Sequence, residues 1–596
     1  MTEVHFTQIP LRILRGNDFE RLPLLPKMSD SRPKDEAQQD EEEDVVADVI
    51  GEFGSWQLRL TFLLAMFNIP STWHIMAYTF QSLERPFWCA RYDSIRDFVT
   101  PDMWRNVSQP GNSSCEIWSD LNETLFTSGT PWPPTGMPVS ETSRPCTQWE
   151  YDERNGTTLV AEWNLVCDRA VLVNVAEMTF LTGVAIGGLV SGMISDKFGR
   201  KRTLLISVFA QIVFGTVISF NPWFELFLVI RFFLGFVSVS VVFSAFVLCM
   251  ELVGGKWRTI SGVSYLFPVP LGYITVAGIA YVVREWRILQ LTVTLPAITL
   301  LAAIWVIPES PRWLLAMRKQ DRLMEVLKRA AASNKLPIPN DPEKILAKAP
   351  PQEKGNEGVG VATLFKTAQI RKISLILYVV WFALYMVYYG LVLNLSSIGD
   401  DIYLNTAISG FVEIPAIAIS MLLLLKSGRK WPLCIVTASS GVFCLLVIAV
   451  PADAPSWVVV TLAMAAKFAI SCSNAILPIF TAELFPTVVR NLGVGSSNVA
   501  AGIALMIVPY LWNLSMVYDK LPFVVMGVLG VVGGLCVLLL PETAGRPMPN
   551  TVEDLDRRGD NAKNNAPVIR SSAKKTVKIA SIRPPSYRKK SDSEYY

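Results

Sequence analysis

Between residues 58 and 540 the chain is a succession of long apolar runs, rich in Leu, Val, Ile, Ala and Phe and divided by polar breaks. A helix needs about 20 apolar residues to cross the hydrocarbon of a bilayer. In lipid every backbone N–H and C=O must find its partner within the protein, and runs this long exceed any strand. The expected structure is therefore all-α, a polytopic membrane protein whose first partner is the lipid bilayer. Composition agrees, at 51% hydrophobic and only 18% charged. A net charge of +3 gives no reason to invoke nucleic acid.

The runs fall near 58–80, 170–194, 203–221, 223–250, 260–283 and 287–307, then near 373–393, 403–425, 431–450, 456–479, 493–513 and 521–540. That is twelve transmembrane helices in two six-helix halves, 58–307 and 373–540. Around them lie an N-terminal tail 1–57, a central loop 308–372 and a C-terminal tail 541–596. No apolar h-region occurs in the first 45 residues, so the first span serves as the targeting signal. Arg312, Arg318, Lys319, Arg322, Lys328 and Arg329 assign the central loop to the cytosol, and an even number of spans puts both termini there too. The polar segment 81–166 has four glycosylation sequons, at Asn106, Asn112, Asn122 and Asn155. With it go Cys89, Cys115, Cys146 and Cys167. The combination reads as an extracellular loop of a plasma-membrane protein with two disulfides, and sequence leaves all three pairings open.

The two halves repeat. Glu251 is followed at seven residues by Arg258, and Glu483 at seven by Arg490. Pro308-Glu309 closes the sixth span and Pro541-Glu542 the twelfth; Gly199-Arg200-Lys201 follows the second and Gly428-Arg429-Lys430 the eighth. The offsets are 232, 233 and 229 residues, in the same order. Three ordered echoes at nearly one spacing imply a duplicated parallel unit, the architecture of major facilitator transporters, with a substrate site between the halves near the midplane.

Gly192, Asp196, Gly199 and Arg200 stand in the short loop after the second span: glycines for close approach and a tight turn, the acid for pairing with an arginine or capping a neighbouring helix. The pattern resembles the signature loop of the major facilitator superfamily, which implies a latch between the two halves on the cytosolic side. In the second copy Leu425 stands where the acid would be, so that latch is expected to be weaker or absent. Arg231 lies inside the fourth span, where a charge costs about 2.5 kcal/mol or more unless partnered. It is expected to serve a latch or a site. Glu413, inside the eighth span, is a candidate for binding an amine or a proton, with Lys467 in the tenth as the alternative structural partner. Trp381, Tyr385 and Tyr388 recur at i, i+4 and i+7 and line one helical face. Such rings hold organic cations, at roughly 0.5–2 kcal/mol each. Asn68, Trp73 and His74 in the first span are weaker candidates. The sequence has no P-loop, nucleophile elbow, His-Glu-x-x-His or Cys-x-x-Cys, so neither ATP-driven transport nor enzyme chemistry has a foothold, and no cofactor or metal is expected.

At this point the chain resembles the organic cation/anion/zwitterion transporter family of the major facilitator superfamily over roughly residues 50–555. The residues that carry the resemblance are the large sequon-bearing loop, Glu162-Trp163-Asn164-Leu165-Val166-Cys167, Pro308-Glu309-Ser310-Pro311-Arg312-Trp313-Leu314-Leu315, Thr481-Ala482-Glu483-Leu484-Phe485-Pro486 with Arg490, and Pro541-Glu542-Thr543. The resemblance implies a pocket built from the first, fourth, fifth, seventh, eighth, tenth and eleventh helices, with Trp381, Tyr388 and Glu413 at cation-carrier positions. It also shows departures. The eleventh span, Ser496 to Gly502, lacks both the aspartate of cation carriers and the arginine of anion carriers, and the loop has four cysteines where many members have six. The chain is similar to the insect branch, which includes carriers of carcinine and β-alanine. The implied activity is secondary transport of a small organic amine or zwitterion, with H+ or Na+ as possible coupling ions. A non-transporting scaffold or receptor that keeps the fold is the alternative.

Overall fold

The computed structural model describes residues 45–97, 99–119, 121, 142–152, 156–255, 257–337, 361–393, 401–451, 453–486 and 489–544. The acidic run before Val45, the sequons at Asn122 and Asn155 and the basic C-terminal tail lie outside the described residues. Among the described residues ten helices are long and apolar enough to cross a membrane: α1 Ser55–Gln81, α2 Cys167–Phe198, α3 Arg200–Phe220, α4 Phe224–Leu252, α5 Trp257–Val282, α7 Ala368–Leu393, α8 Ile402–Lys426, α9 Lys430–Ala449, α10 Ser456–Leu484 and α11 Leu492–Met516. Two shorter apolar helices, α6 Trp286–Leu301 and α12 Leu521–Val537, complete the two sets of six. A 3-10 turn, Ala302–Trp305, continues α6. The packing is that of a bundle in lipid: Phe62, Phe209, Phe220, Phe411 and Leu539 are exposed on the outer faces, while one continuous apolar core joins residues of both halves.

Each half packs on itself, α2 against α4 and α9 against α12 being extensive contacts, and the halves meet chiefly where α2 packs on α11 and α5 on α8. The break in α1 at Phe67 is held by Asn68, whose side-chain amide donates to the Ala65 carbonyl at 3.1 Å and the Tyr265 carbonyl at 2.9 Å. Asp401 caps α8, its carboxylate accepting from the Tyr403 and Leu404 amides. Such caps satisfy donors that a helix start leaves unmatched.

The sequon-bearing segment forms a small domain at one end of the bundle. Strands β1 Phe87–Cys89 and β4 Trp149–Tyr151 pair antiparallel, as do β2 Glu116–Trp118 and β3 Ser143–Pro145. Of the three pairings left open by the sequence, the fold takes Cys89–Cys146 and Cys115–Cys167. Asn106 is exposed, on the helix Pro101–Ser108; the Asn112 side chain lies outside the described residues. Glu150 gathers Trp88, Arg91 and Arg96. Burial pushes its carboxyl up, but those hydrogen bonds and the Arg91 charge outweigh it and hold the group below the ordinary carboxylate range. The Glu162-to-Cys167 motif fastens this domain to the bundle: Glu162 accepts from Trp286 Nε1 at 2.7 Å and pairs with Arg287, and the Trp163 ring packs on Phe224, Phe227 and Trp286.

Candidate functional site

The repeated motifs meet at the end of the bundle opposite the disulfide domain. Gly199 turns the chain between α2 and α3 at φ +103°, and Gly428 turns it between α8 and α9 at φ +84°. Only glycine adopts that backbone without strain. A Cβ on Gly199 would stand 2.6 Å from Glu309 Oε2. That glutamate, from the Pro308-Glu309 pair, accepts from the Lys201 amide at 2.9 Å; its repeat, Glu542, accepts from the Arg429 and Lys430 amides at 3.0 and 3.1 Å. The Pro-Glu pairs, which follow the last helix of each half, thus supply the carboxylates that cap the start of its third helix, α3 or α9, where the helix dipole favours negative charge. Burial pushes the Glu542 carboxyl up, but four backbone amides donating to it hold it below its ordinary range.

Arg200 lies between Asp196, at 2.7 Å, and Glu251, which it grips through Nε and Nη2 at 2.9–3.2 Å. Arg429 grips Glu483 in the same way at 3.1–3.2 Å, and Thr543 donates to Glu483 as well. The second latch, expected to be weaker or absent, keeps its ion pair, and each pair lies within one half, Glu251 on α4 and Glu483 on α10, rather than between the halves. Leu425 removes only the counterpart of the Asp196–Arg200 pair, and the bidentate pair remains because Glu483 arrives from a different helix. Arg258 opens the helical part of α5, and Arg490 begins the helix that becomes α11. Arg231 lies inside α4. It is 2% exposed, donates to the Ala176 carbonyl at 3.2 Å and lies 4.0 Å over the Tyr78 ring, with Phe180 and Phe227 beside it. That places it in the packed interior of the first half.

Mid-bundle, four helices bring polar groups together. Tyr388 of α7 donates to Glu413 Oε1 of α8 at 2.8 Å. Glu413 Oε2 lies 3.1 Å from Lys467 Nζ of α10, and that ammonium lies 3.5 Å over the Tyr388 ring. From the other half, Tyr273 of α5 brings its hydroxyl to 3.1 Å from that of Tyr388, and its ring lies 5.5 Å from Lys467 Nζ. Glu413 is 4% exposed and Lys467 2%. Pro415 within α8 removes a backbone donor one half-turn from the carboxylate, loosening the helix there. On α7 the rings of Trp381, Tyr385 and Tyr389 follow one another at 5.5 and 5.6 Å, while the Tyr388 hydroxyl donates to Glu413. Trp381 donates to Thr481 Oγ1 of α10 at 3.0 Å. Asn68 and Trp73 are not in this cluster; Asn68 holds the α1 break and Trp73 donates to Thr275 at 2.8 Å. Tyr273 carried no signal in the sequence, being one tyrosine in an apolar run.

Nearer the disulfide domain the halves are clasped. Tyr403 of α8 stacks on Phe80 of α1 at 5.3 Å and meets the edge of Tyr281 at 5.7 Å. Arg284 lies 4.7 Å over the Tyr403 ring and donates to its hydroxyl at 3.2 Å. Asn174 of α2 donates to Asn513, in the 3-10 turn that ends α11, at 3.0 Å.

A duplicated twelve-helix bundle with paired latches and a buried charged cluster at its seam is a solute carrier of the major facilitator fold, not an enzyme. The comparisons agree. The family described as "Sugar (and other) transporter" matches residues 141–554. An "Organic cation transporter protein" of Drosophila melanogaster is 34% identical over 86% of this chain and 94% of its own length. Human "Solute carrier family 22 member 13" is 33% identical over 85% and 92%. The inward-open xylose transporter XylE from E. coli shares the fold at TM-score 0.55 and 18% identity, covering 84% of this chain and 99% of its own. The chain belongs to the sugar (and other) transporter family, in the branch of the organic cation transporters of solute carrier family 22.

Proposed function

We propose that this chain moves a small organic cation or zwitterion across the plasma membrane by alternating access, the two halves rocking about the cluster at Glu413. The disulfide domain faces outward and both termini face the cytosol. The observation that carries the reading is the buried carboxylate at mid-bundle, bonded on one side by Tyr388 and bordered by Tyr273 from the opposite half. Glu413 offers the charge that attracts an amine. Trp381 and Tyr385 offer ring faces for its organic part. The names of the relatives, organic cation transporters among them, support the substrate class.

The test is uptake in cells expressing the chain, with carcinine, β-alanine, carnitine and tetraethylammonium as probes. Saturable uptake of at least one is expected, and Glu413→Gln lowers it by about tenfold or more at equal surface abundance, as loss of a charged hydrogen-bond partner does. A chain that reaches the surface and takes up none of them is a scaffold or receptor.

A further inference from the structure

The latch pairs and the central pair differ in how well their donors are met. Lys467 Nζ is within ion-pair distance of Glu413 Oε2, but it is not aimed for a hydrogen bond, and among the described residues neither atom has a hydrogen-bond partner. An ammonium has three donors. Leaving them unmatched in a buried place is costly. A buried pair kept for stability needs good geometry and acceptors for the remaining donors. Arg200–Glu251 meets that requirement and Glu413–Lys467 does not.

We infer that Lys467 is a second substrate-binding group, which takes the carboxylate of a zwitterion whose amine takes the place of Lys467 on Glu413. The inference rests on the transport reading of Glu413 above. In the structure the two protein charges neutralise each other. A simple cation that binds Glu413 strands a buried ammonium; a simple anion that binds Lys467 strands a buried carboxylate. A molecule with both charges at separate ends replaces one poorly aligned pair by two, and also meets donors of Lys467 that have no acceptor. The rings of Tyr388 and Tyr273, on which Lys467 lies, cushion the ammonium in either position. The selection is thus for a small amino acid-like zwitterion over an amine or an acid of similar size.

The experiment compares β-alanine, γ-aminobutyrate and carnitine with tetraethylammonium and propionate, in cells expressing the chain or its Lys467→Met, Lys467→Arg and Glu413→Gln/Lys467→Met variants, with uptake scaled to surface abundance. The chain itself is expected to take up a zwitterion in preference to propionate and tetraethylammonium. Lys467→Met shifts the zwitterion-to-cation ratio by about tenfold or more toward the cation, and Lys467→Arg restores most of it. Preference of the unaltered chain for tetraethylammonium over every zwitterion overturns the role of Lys467 while leaving transport standing. So does a Glu413→Gln/Lys467→Met variant that regains both surface abundance and unaltered zwitterion uptake, since the pair is then structural. No uptake of any probe by the unaltered chain at the surface overturns the transport reading itself.

Discussion

The latch end and the middle of this bundle both hold buried or half-buried ion pairs, and they are built differently. At the latch end each arginine grips its glutamate with two nitrogens, and a second layer of bonds closes around the pair: Arg200 also donates to the Ser195 carbonyl, and Arg429 to the Leu424 carbonyl. In the middle one ammonium meets one oxygen at a poor angle. A planar guanidinium fork holds a carboxylate in one geometry, whereas an ammonium on a flexible stem is a point charge that is free to change partners. The first arrangement suits a joint that keeps helices in register. The second suits a place where a solute displaces a side chain.

Three variants test that contrast. Arg200→Ala strands Glu251 in a largely buried place, and the expected cost of about 2 kcal/mol or more appears as a several-fold fall in surface abundance and a lower Tm in detergent. If abundance holds and only substrate preference changes, the latch and the centre are not distinct kinds of pair. Tyr388→Phe removes the hydroxyl on Glu413 and on Tyr273 without touching the latches. KM for the transported solute should rise by about fivefold, in keeping with roughly 1 kcal/mol for one hydrogen bond, at unchanged abundance. A collapse of expression would mean that the cluster is part of the scaffold. Leu425→Asp supplies the acid that the second latch lacks. Because its model, Asp196, is 66% exposed on its side chain, the gain should be under about 1 kcal/mol, a shift of a degree or two in Tm. A larger effect would show that the two latches carry unequal shares of the joint.

Much of this was legible in the sequence, because the bilayer sets helix length and a duplicated chain repeats its turns. The spans from Leu58 onward, the paired motifs and Glu413 could all be found by inspection. The meaning of the Pro-Glu pairs could not. Glu309 and Glu542 read as markers of a repeat, and only the fold brings them against Gly199 and Gly428 to cap α3 and α9. The pairing of the four cysteines was equally hidden, since loop contacts decide it. Spacing put Trp381, Tyr385 and Tyr388 on one face, but 3.6 residues per turn also brings Tyr389 near it, and only the fold shows that Tyr389 continues the ring contacts of Tyr385 while Tyr388 bonds Glu413. Lys467 was visible as a partner for Glu413, but whether such a pair is well made depends on angles, which spacing does not give.

The clasp around Tyr403 bears on how affinity is read. If the halves rock as proposed, a solute approaching from the disulfide-domain side meets the stacked rings of Phe80, Tyr403 and Tyr281 and the Arg284 guanidinium, and only molecules in which that clasp stands open receive it. Affinity measured from that face is then the intrinsic value diluted by the open fraction. Thinning the clasp, for instance by Tyr403→Ala, would sharpen apparent binding from that face without altering a single atom that touches the solute.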